Sequence, residues 1–190
     1  MKMKLAEIAS AIEAQNEIEQ WKDIEVTSVS FDSRHLEQGA LFIPLQGAHD
    51  GHQYVETAFD NGAAASLWAS DHDLTDHNHP VLVVADPLKA LQQLGKYYLH
   101  KINPIVVAVT GSNGKTTTKD MIASILSTQL NVTKTYANFN NEIGVPVTLL
   151  NMEANTEVVV VEMGMDRFGQ LDFLSKLVSP DIAVITMIGE

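Results

Sequence analysis

The spacing of apolar positions divides the chain into short alternating elements. In "LAEIASAIEAQ", Leu5, Ile8, Ala9 and Ile12 recur at helical spacing. "IEVTSVSFDSR" reads as a strand that ends in a polar turn, and "ALFIPL" as a short buried strand. Tyr54, Val55, Ala58 and Phe59 share one helical face, and Gly62 is placed to stop that helix. "ASLWAS" and "VLVVAD" read as strands, with the polar "DHDLTDHNHP" as the loop between them. Asp86 followed by Pro87 marks a helix start, a capping carboxylate before a first-turn proline. Leu88, Leu91, Leu94 and Tyr98 continue that helix.

The pattern changes at "KINPIVVAVTGSNGK". "IVVAV" is a continuous apolar run, as expected for a strand buried on both faces of a parallel sheet. A glycine-rich loop and a helix through "KDMIASILSTQL" follow it. "VTKTY", "EVVVVEM" and "DIAVIT" are three further strands, the last two separated by a helix carrying Leu171, Leu174 and Val178. Strand, loop and helix repeat, which predicts an α/β fold whose second domain is doubly wound around a mostly parallel sheet. The expected division is a small α/β domain at residues 1–102 and an incomplete second domain at 103–190, with Asn103-Pro104 as a short linker. "DIAVIT" is expected at the growing edge of the second sheet.

Composition narrows the function. The 190 residues carry a formal charge of −12, which argues against binding nucleic acid or anionic lipid through a broad basic surface. A nucleotide can still be bound where backbone N–H groups, a lysine or a metal ion focus positive potential. There is no cysteine, so disulfides and thiolate metal sites are excluded and a reducing compartment fits. No apolar run approaches the ~18 residues of a membrane span. The start lacks the apolar core of a secretory signal. The expected location is the cytoplasm. The two arginines, Arg34 and Arg167, both fall in predicted loops.

The chemistry centres on "VTGSNGKTTT". The common phosphate-loop pattern G-x-x-x-x-G-K-[ST] would need glycine at position 109, which is Val109; Gly111 gives the shorter G-x-x-G-K-T. Gly111 and Gly114 allow a tight turn that points successive amides at one anion, and the helix behind adds its positive end. Lys115 can bridge the terminal phosphates of ATP, and the Thr116 hydroxyl can ligand Mg²⁺. Thr110, Ser112, Asn113 and Thr117 complete the expected nucleotide-binding stretch. The plainer alternative is a glycine turn and a surface lysine. Glu162 ends the strand "VVVVE" on the same rim as the loop, and is either a metal-linked carboxylate or a solvated strand end. Asn138, Asn140 and Asn141 follow "VTKTY" and could orient metal-bound water or a substrate carboxylate, or simply form a turn. His72, His77 and His79 lie among aspartates but read as a solvated loop rather than a zinc site.

Together these residues resemble the Mur ligase family of ATP-dependent peptidoglycan-precursor ligases. "TGSNGKTTT" is similar to the family's T-G-[ST]-x-G-K-[TS], and "FDSRHLEQGALFIPLQGAHDGHQYVETAFDNGAAA" resembles its N-terminal uridine-nucleotide domain. "NFNNEIGVPVTLL" and "VVVVEMGM" are similar to the MurF type rather than the MurE type. The resemblance implies addition of D-alanyl-D-alanine to a UDP-N-acetylmuramoyl-tripeptide through an acyl phosphate, with ATP and Mg²⁺, in a full-length protein that is a monomer. It casts Lys115, Glu162, Asn138 and Asn141 as catalytic groups, and Thr116 and Glu162 as metal groups. Ser33, Arg34, Asp50, Gly51, His52 and Asn140 become substrate-binding groups, the first five matching the family's D-S-R and D-G-H motifs. Arg34 suits a diphosphate, or else makes a surface ion pair. Asp166-Arg167 and Gln170 depart from the Asn-His or Asp-His pair and the glutamate frequent in the family. Family members continue with a histidine, a metal-binding lysine and a third domain, so the expectation is a fragment that does not complete the reaction alone. The rivals are a MurE-type ligase, a P-loop ATPase or kinase, and a non-catalytic UDP-sugar-binding module.

Overall fold

A computed structural model describes residues 1–47, 49–74 and 78–189. The chain divides into two units, Met1–Leu94 and Gly95–Glu190. The division falls inside one long helix, Pro87–Ile102. In the first unit β1 (Met3–Lys4) runs into α1 (Leu5–Ala11) and pairs antiparallel with β2 (Glu25–Val26). β3 (Ser28–Ser30), β4 (Ala40–Phe42), β5 (Ala63–Ala69) and β6 (Val81–Val84) form a parallel sheet in that order, and α2 (Val55–Asp60) precedes β5. The predicted strand "IEVTSVSFDSR" is thus two strands in two sheets. The chain changes partners at Thr27, whose amide bonds to the Gly39 carbonyl. Phe42, Val55, Ala58, Trp68 and Val81 form one core cluster of this unit.

α3 (Pro87–Ile102) begins as its first residues predict. The Asp86 carboxylate accepts the amides of Leu88 (2.9 Å) and Lys89 (3.2 Å), two donors that a helix start otherwise leaves unpaired. Asn103 ends the helix in the left-handed region, φ 53°, where asparagine is tolerated.

The second unit is a parallel sheet of β7 (Ile105–Thr110), β8 (Val132–Lys134), β9 (Val158–Glu162) and β10 (Ile182–Ile185), in the order β10-β7-β9-β8. α4 (Lys115–Leu126), α5 (Gly144–Leu150) and α6 (Gln170–Val178) connect and cover the strands. Every residue of β9 is buried, as its run of valines predicts. Val107, Val109, Val158 and Val160 pack with Ala123 of α4 in one core. β10 lies at the sheet edge with Ile182 and Ile185 exposed, where "DIAVIT" is expected. α5, which the sequence pattern does not predict, is buried at all seven positions. Among the described residues no helix is long and apolar enough to cross a membrane.

The cap on α3 gives a measurable expectation. Asp86→Ala should lower stability by about 1 kcal/mol in urea unfolding, while Asp86→Ser should retain most of it, because a hydroxyl can still accept a first-turn amide.

Candidate functional site

In the second unit Val109, the last residue but one of β7, pairs with Glu162, the last of β9. That register sets the loop after β7 beside the Glu162 carboxylate. Gly111 has φ +139° and Gly114 has φ +79°. A Cβ on Gly111 would also lie 2.2 Å from Thr186 Oγ1, so glycine is required there by both backbone and space. Lys115 opens α4 and donates from Nζ to the Gly111 carbonyl at 2.7 Å, folding its ammonium over the loop. Thr110 is buried and donates to the Met163 carbonyl, locking the two strand ends together.

Glu162 is 1% exposed, which excludes a solvated strand end. Its Oε2 accepts the Thr116 hydroxyl at 3.0 Å and its Oε1 accepts Asn140 Nδ2 at 3.0 Å. Its own amide donates to Thr135 Oγ1. A carboxylate and a hydroxyl held together at the start of a helix are hard oxygen donors, the set that suits Mg²⁺. The residues present therefore fit a magnesium–nucleotide site, with the first-turn amides of α4 left without helical acceptors to meet an anion. Ser112 gives its amide to the Met187 carbonyl instead. Thr117 is exposed on the first turn, and Asn113 offers its carbonyl to Thr186.

The three asparagines part company. Asn140 reaches Glu162. Asn141 turns its Oδ1 to the amides of Ile143 and Gly144, just where α5 begins, so that oxygen is spent on folding. Asn138 is exposed, and its carbonyl accepts the Asn140 amide. Arg167 pairs with Glu142, which also accepts from Gln170; these residues line a cleft of about 310 Å³ with Phe168, Gly169 and Phe173.

In the first unit a cleft of about 670 Å³ is lined by Ser33, Arg34, His49, Gly51 and Tyr54 among others. Arg34 presents its fork to Asp32, at 2.9 and 3.0 Å, and this pairing holds the Asp32 carboxyl below the usual carboxylate range. The ion-pair alternative raised for Arg34 is the observed arrangement, on the cleft wall. Asp50 and His52 flank the cleft residue Gly51 and bond to each other and to Ala69. Asp50 Oδ1 accepts the His52 amide and lies 2.7 Å from His52 Nδ1, while His52 Nε2 accepts the Ala69 amide at 3.0 Å. His72 stacks on His52, with Nε2 2.8 Å from Asp50 and Nδ1 2.7 Å from Asp71.

Asp50, His52 and His72 bring ligand atoms within 4.8 Å of one another. The hydrogen bonds oppose a metal. His52 carries its proton on Nδ1; a cation there would drive that proton onto Nε2, against the Ala69 N–H. The cluster is a hydrogen-bonded latch. His79 pairs with Glu56, and His77 lies outside the described residues.

Three contributors escaped sequence reasoning. Lys119 is 2% exposed and faces Glu162. Thr186 donates to the carbonyls of Thr110 and Asn113, bracing the loop from the end of β10. His72 falls in a stretch whose polarity predicts only a solvated loop. Only Lys119 carried a signal, its place one helical turn after Thr116.

Comparison with known proteins follows the same two units. The family model described as "Mur ligase family, catalytic domain" matches residues 25–99, and "Mur ligase middle domain" matches 109–190. The UDP-N-acetylmuramoyl-tripeptide–D-alanyl-D-alanine ligase of Bacillus subtilis is 50% identical over 191 residues, covering 100% of this chain and 42% of the relative. That of Treponema pallidum is 39% identical, covering 85% and 37%. Among solved structures, MurF from Acinetobacter baumannii superposes with a TM-score of 0.87 at 35% identity, over 97% of this chain and 40% of that one. The MurF ligase of Thermotoga maritima in complex with ADP gives 0.76 at 32%, over 86% and 38%. The chain spans about two fifths of the length of these relatives.

The latch makes stability depend on pH. Hydrogen bonds to Asp71 and Asp50 raise His72 above its ordinary 6.5. Groups facing it are Asp50, Asp71 and the stacked His52 ring. A raised pKa means that the contribution is fully present below 6.5 and is lost as pH rises through the folded-state value. The melting-temperature advantage of the unaltered chain over His72→Gln should therefore be largest near pH 6 and shrink toward pH 9. A constant difference across that range would contradict the latch.

Proposed function

Because this chain belongs to the Mur ligase family, with matches over residues 25–99 and 109–190, we propose that it forms the nucleotide-binding part of an ATP-dependent amide ligase of peptidoglycan-precursor synthesis. The reaction we assign to the whole protein is addition of D-alanyl-D-alanine to UDP-N-acetylmuramoyl-tripeptide, the activity carried in the names of its relatives. The observation that carries this reading is the meeting of the loop hydroxyl Thr116 and the segment residue Asn140 on one buried carboxylate, Glu162. A phosphate loop alone would serve a kinase or an ATPase equally well. The cleft of the first unit gives the ligase reading a place for the uridine diphosphate, which those classes leave without a purpose. The reading places the enzyme in the cytoplasm.

The chemistry follows from the leaving group. A carboxylate oxygen leaves poorly, so the tripeptide carboxylate first attacks the γ-phosphorus and ADP departs. The dipeptide amine then attacks the acyl carbon, and inorganic phosphate carries away the former carboxylate oxygen and its electron pair. Two anions must approach in the first step, and the groups that offset their repulsion are Lys115 and the amides at the start of α4. Mg²⁺ held by Thr116 and Glu162 would supply further charge neutralisation there. In the first unit Ser33, Arg34 and Gly51 line the cleft assigned to the nucleotide. Asp50 and His52 flank Gly51 and belong to the latch.

Two measurements test the reading. In the full-length protein Lys115→Ala should reduce pentapeptide formation by a factor of ~10² or more without changing the circular dichroism spectrum. Near wild-type turnover would defeat the assignment of the loop. Arg34→Ala should weaken UDP binding measured by calorimetry by only a small factor, because its fork is exposed and shared with Asp32.

A further inference from the structure

Lys119 and Glu162 are the two charged side chains found buried among the described residues, and they face each other. Lys119 lies on α4 one turn beyond Thr116, so the helix presents both to the carboxyl rim of β9. Its Nζ lies 3.8 Å from Glu162 Oε2 and 3.5 Å from Asp120 Oδ1. Asp120 is in turn held by Lys134 at 2.7 Å, so charges alternate from the surface inward: Lys134, Asp120, Lys119, Glu162. An ion is not buried without compensation. Glu162 has two neutral donors, Thr116 and Asn140, and one positive charge, Lys119.

A lysine side chain beside a metal carboxylate has a consequence that a neutral donor lacks. It balances Glu162 before any cation arrives, and it repels a divalent cation that arrives alone. A cation carried by a triphosphate brings negative charge that offsets this repulsion. We propose that Lys119 is a built-in counter-ion for Glu162 that makes the site select the metal–nucleotide complex over the free divalent cation. It is a positioning residue: it touches the carboxylate and not the substrate. The proposal rests on the reading of Thr116 and Glu162 as metal groups.

The test uses Mn²⁺ as probe, with free Mn²⁺ measured by its paramagnetic resonance signal and folding followed by thermal unfolding. Lys119→Met keeps the length of the side chain and removes its charge; Lys119→Arg keeps the charge. Lys119→Met should bind Mn²⁺ alone at least about tenfold more tightly than the unaltered chain, with a smaller change for Mn²⁺ plus a non-hydrolysable ATP analogue. Lys119→Arg should behave as the unaltered chain does. Mn²⁺ alone should raise the melting temperature of Lys119→Met more than that of the unaltered chain, because the metal takes over as counter-ion. This holds also if the variant folds only with metal present. Equal or weaker Mn²⁺ binding by Lys119→Met, or equal stabilisation by Mn²⁺, overturns the proposal. If the unaltered chain fails to bind Mn²⁺ with the nucleotide analogue, or Glu162→Gln binds it equally well, the metal reading of the site is what fails.

Discussion

One carboxylate at the end of a valine strand organises the second unit. Glu162 is carried by β9, whose buried residues fix its height, and it is paired with β7, which ends in the phosphate loop. A buried carboxylate must be satisfied on each oxygen. Its partners come from three separate segments: Thr116 and Lys119 from α4, Asn140 from the segment before α5, and Thr135, which receives its amide, from the end of β8. Folding that satisfies Glu162 therefore also assembles the loop, the helix start and the asparagine segment in one place. Stability and site geometry have a common cause here.

Strands and cap were legible because each answers to a local rule. A run such as "VVVVE" has no polar side to show to water, and Asp86-Pro87 names a helix start whatever follows. α5 was illegible for the opposite reason. "GVPVTLL" holds a glycine, a proline and two valines, each a poor helix former, and it lacks a polar face to mark the period. Burial on all sides overrides those preferences, and Pro146 sits in the first turn, where its missing N–H breaks no bond. The division of "IEVTSVSFDSR" between two sheets was invisible because it depends on Gly39, which approaches Thr27 only after folding.

Within the site, the loop and Glu162 could be found from the sequence because a pattern and a strand end mark them. Lys119 is harder to find: its spacing from Thr116 puts it on the same helix face, but a helical lysine belongs to the solvent by default and only the position of Glu162 reverses that. The asparagines show how residue type underdetermines use. Three side chains of one chemistry serve as a carboxylate partner, a helix-start acceptor and an exposed turn residue. The same holds in the first unit, where a D-G-H motif that reads as ligand contact is tied into a latch with His72.

The brace on the phosphate loop bears on how such a site could be moved between proteins. Gly111 lies under the Thr186 hydroxyl, Ser112 gives its amide to Met187, and Gly189 returns a bond to the Ser112 hydroxyl across 77 positions of chain. The loop's shape is thus held by residues that no local motif contains. A designer who grafts the ten-residue stretch onto another parallel sheet transfers the letters and leaves behind the mould. The transplantable unit is the loop together with the end of the strand beside it, and a host sheet qualifies only if its edge can bring both to one rim.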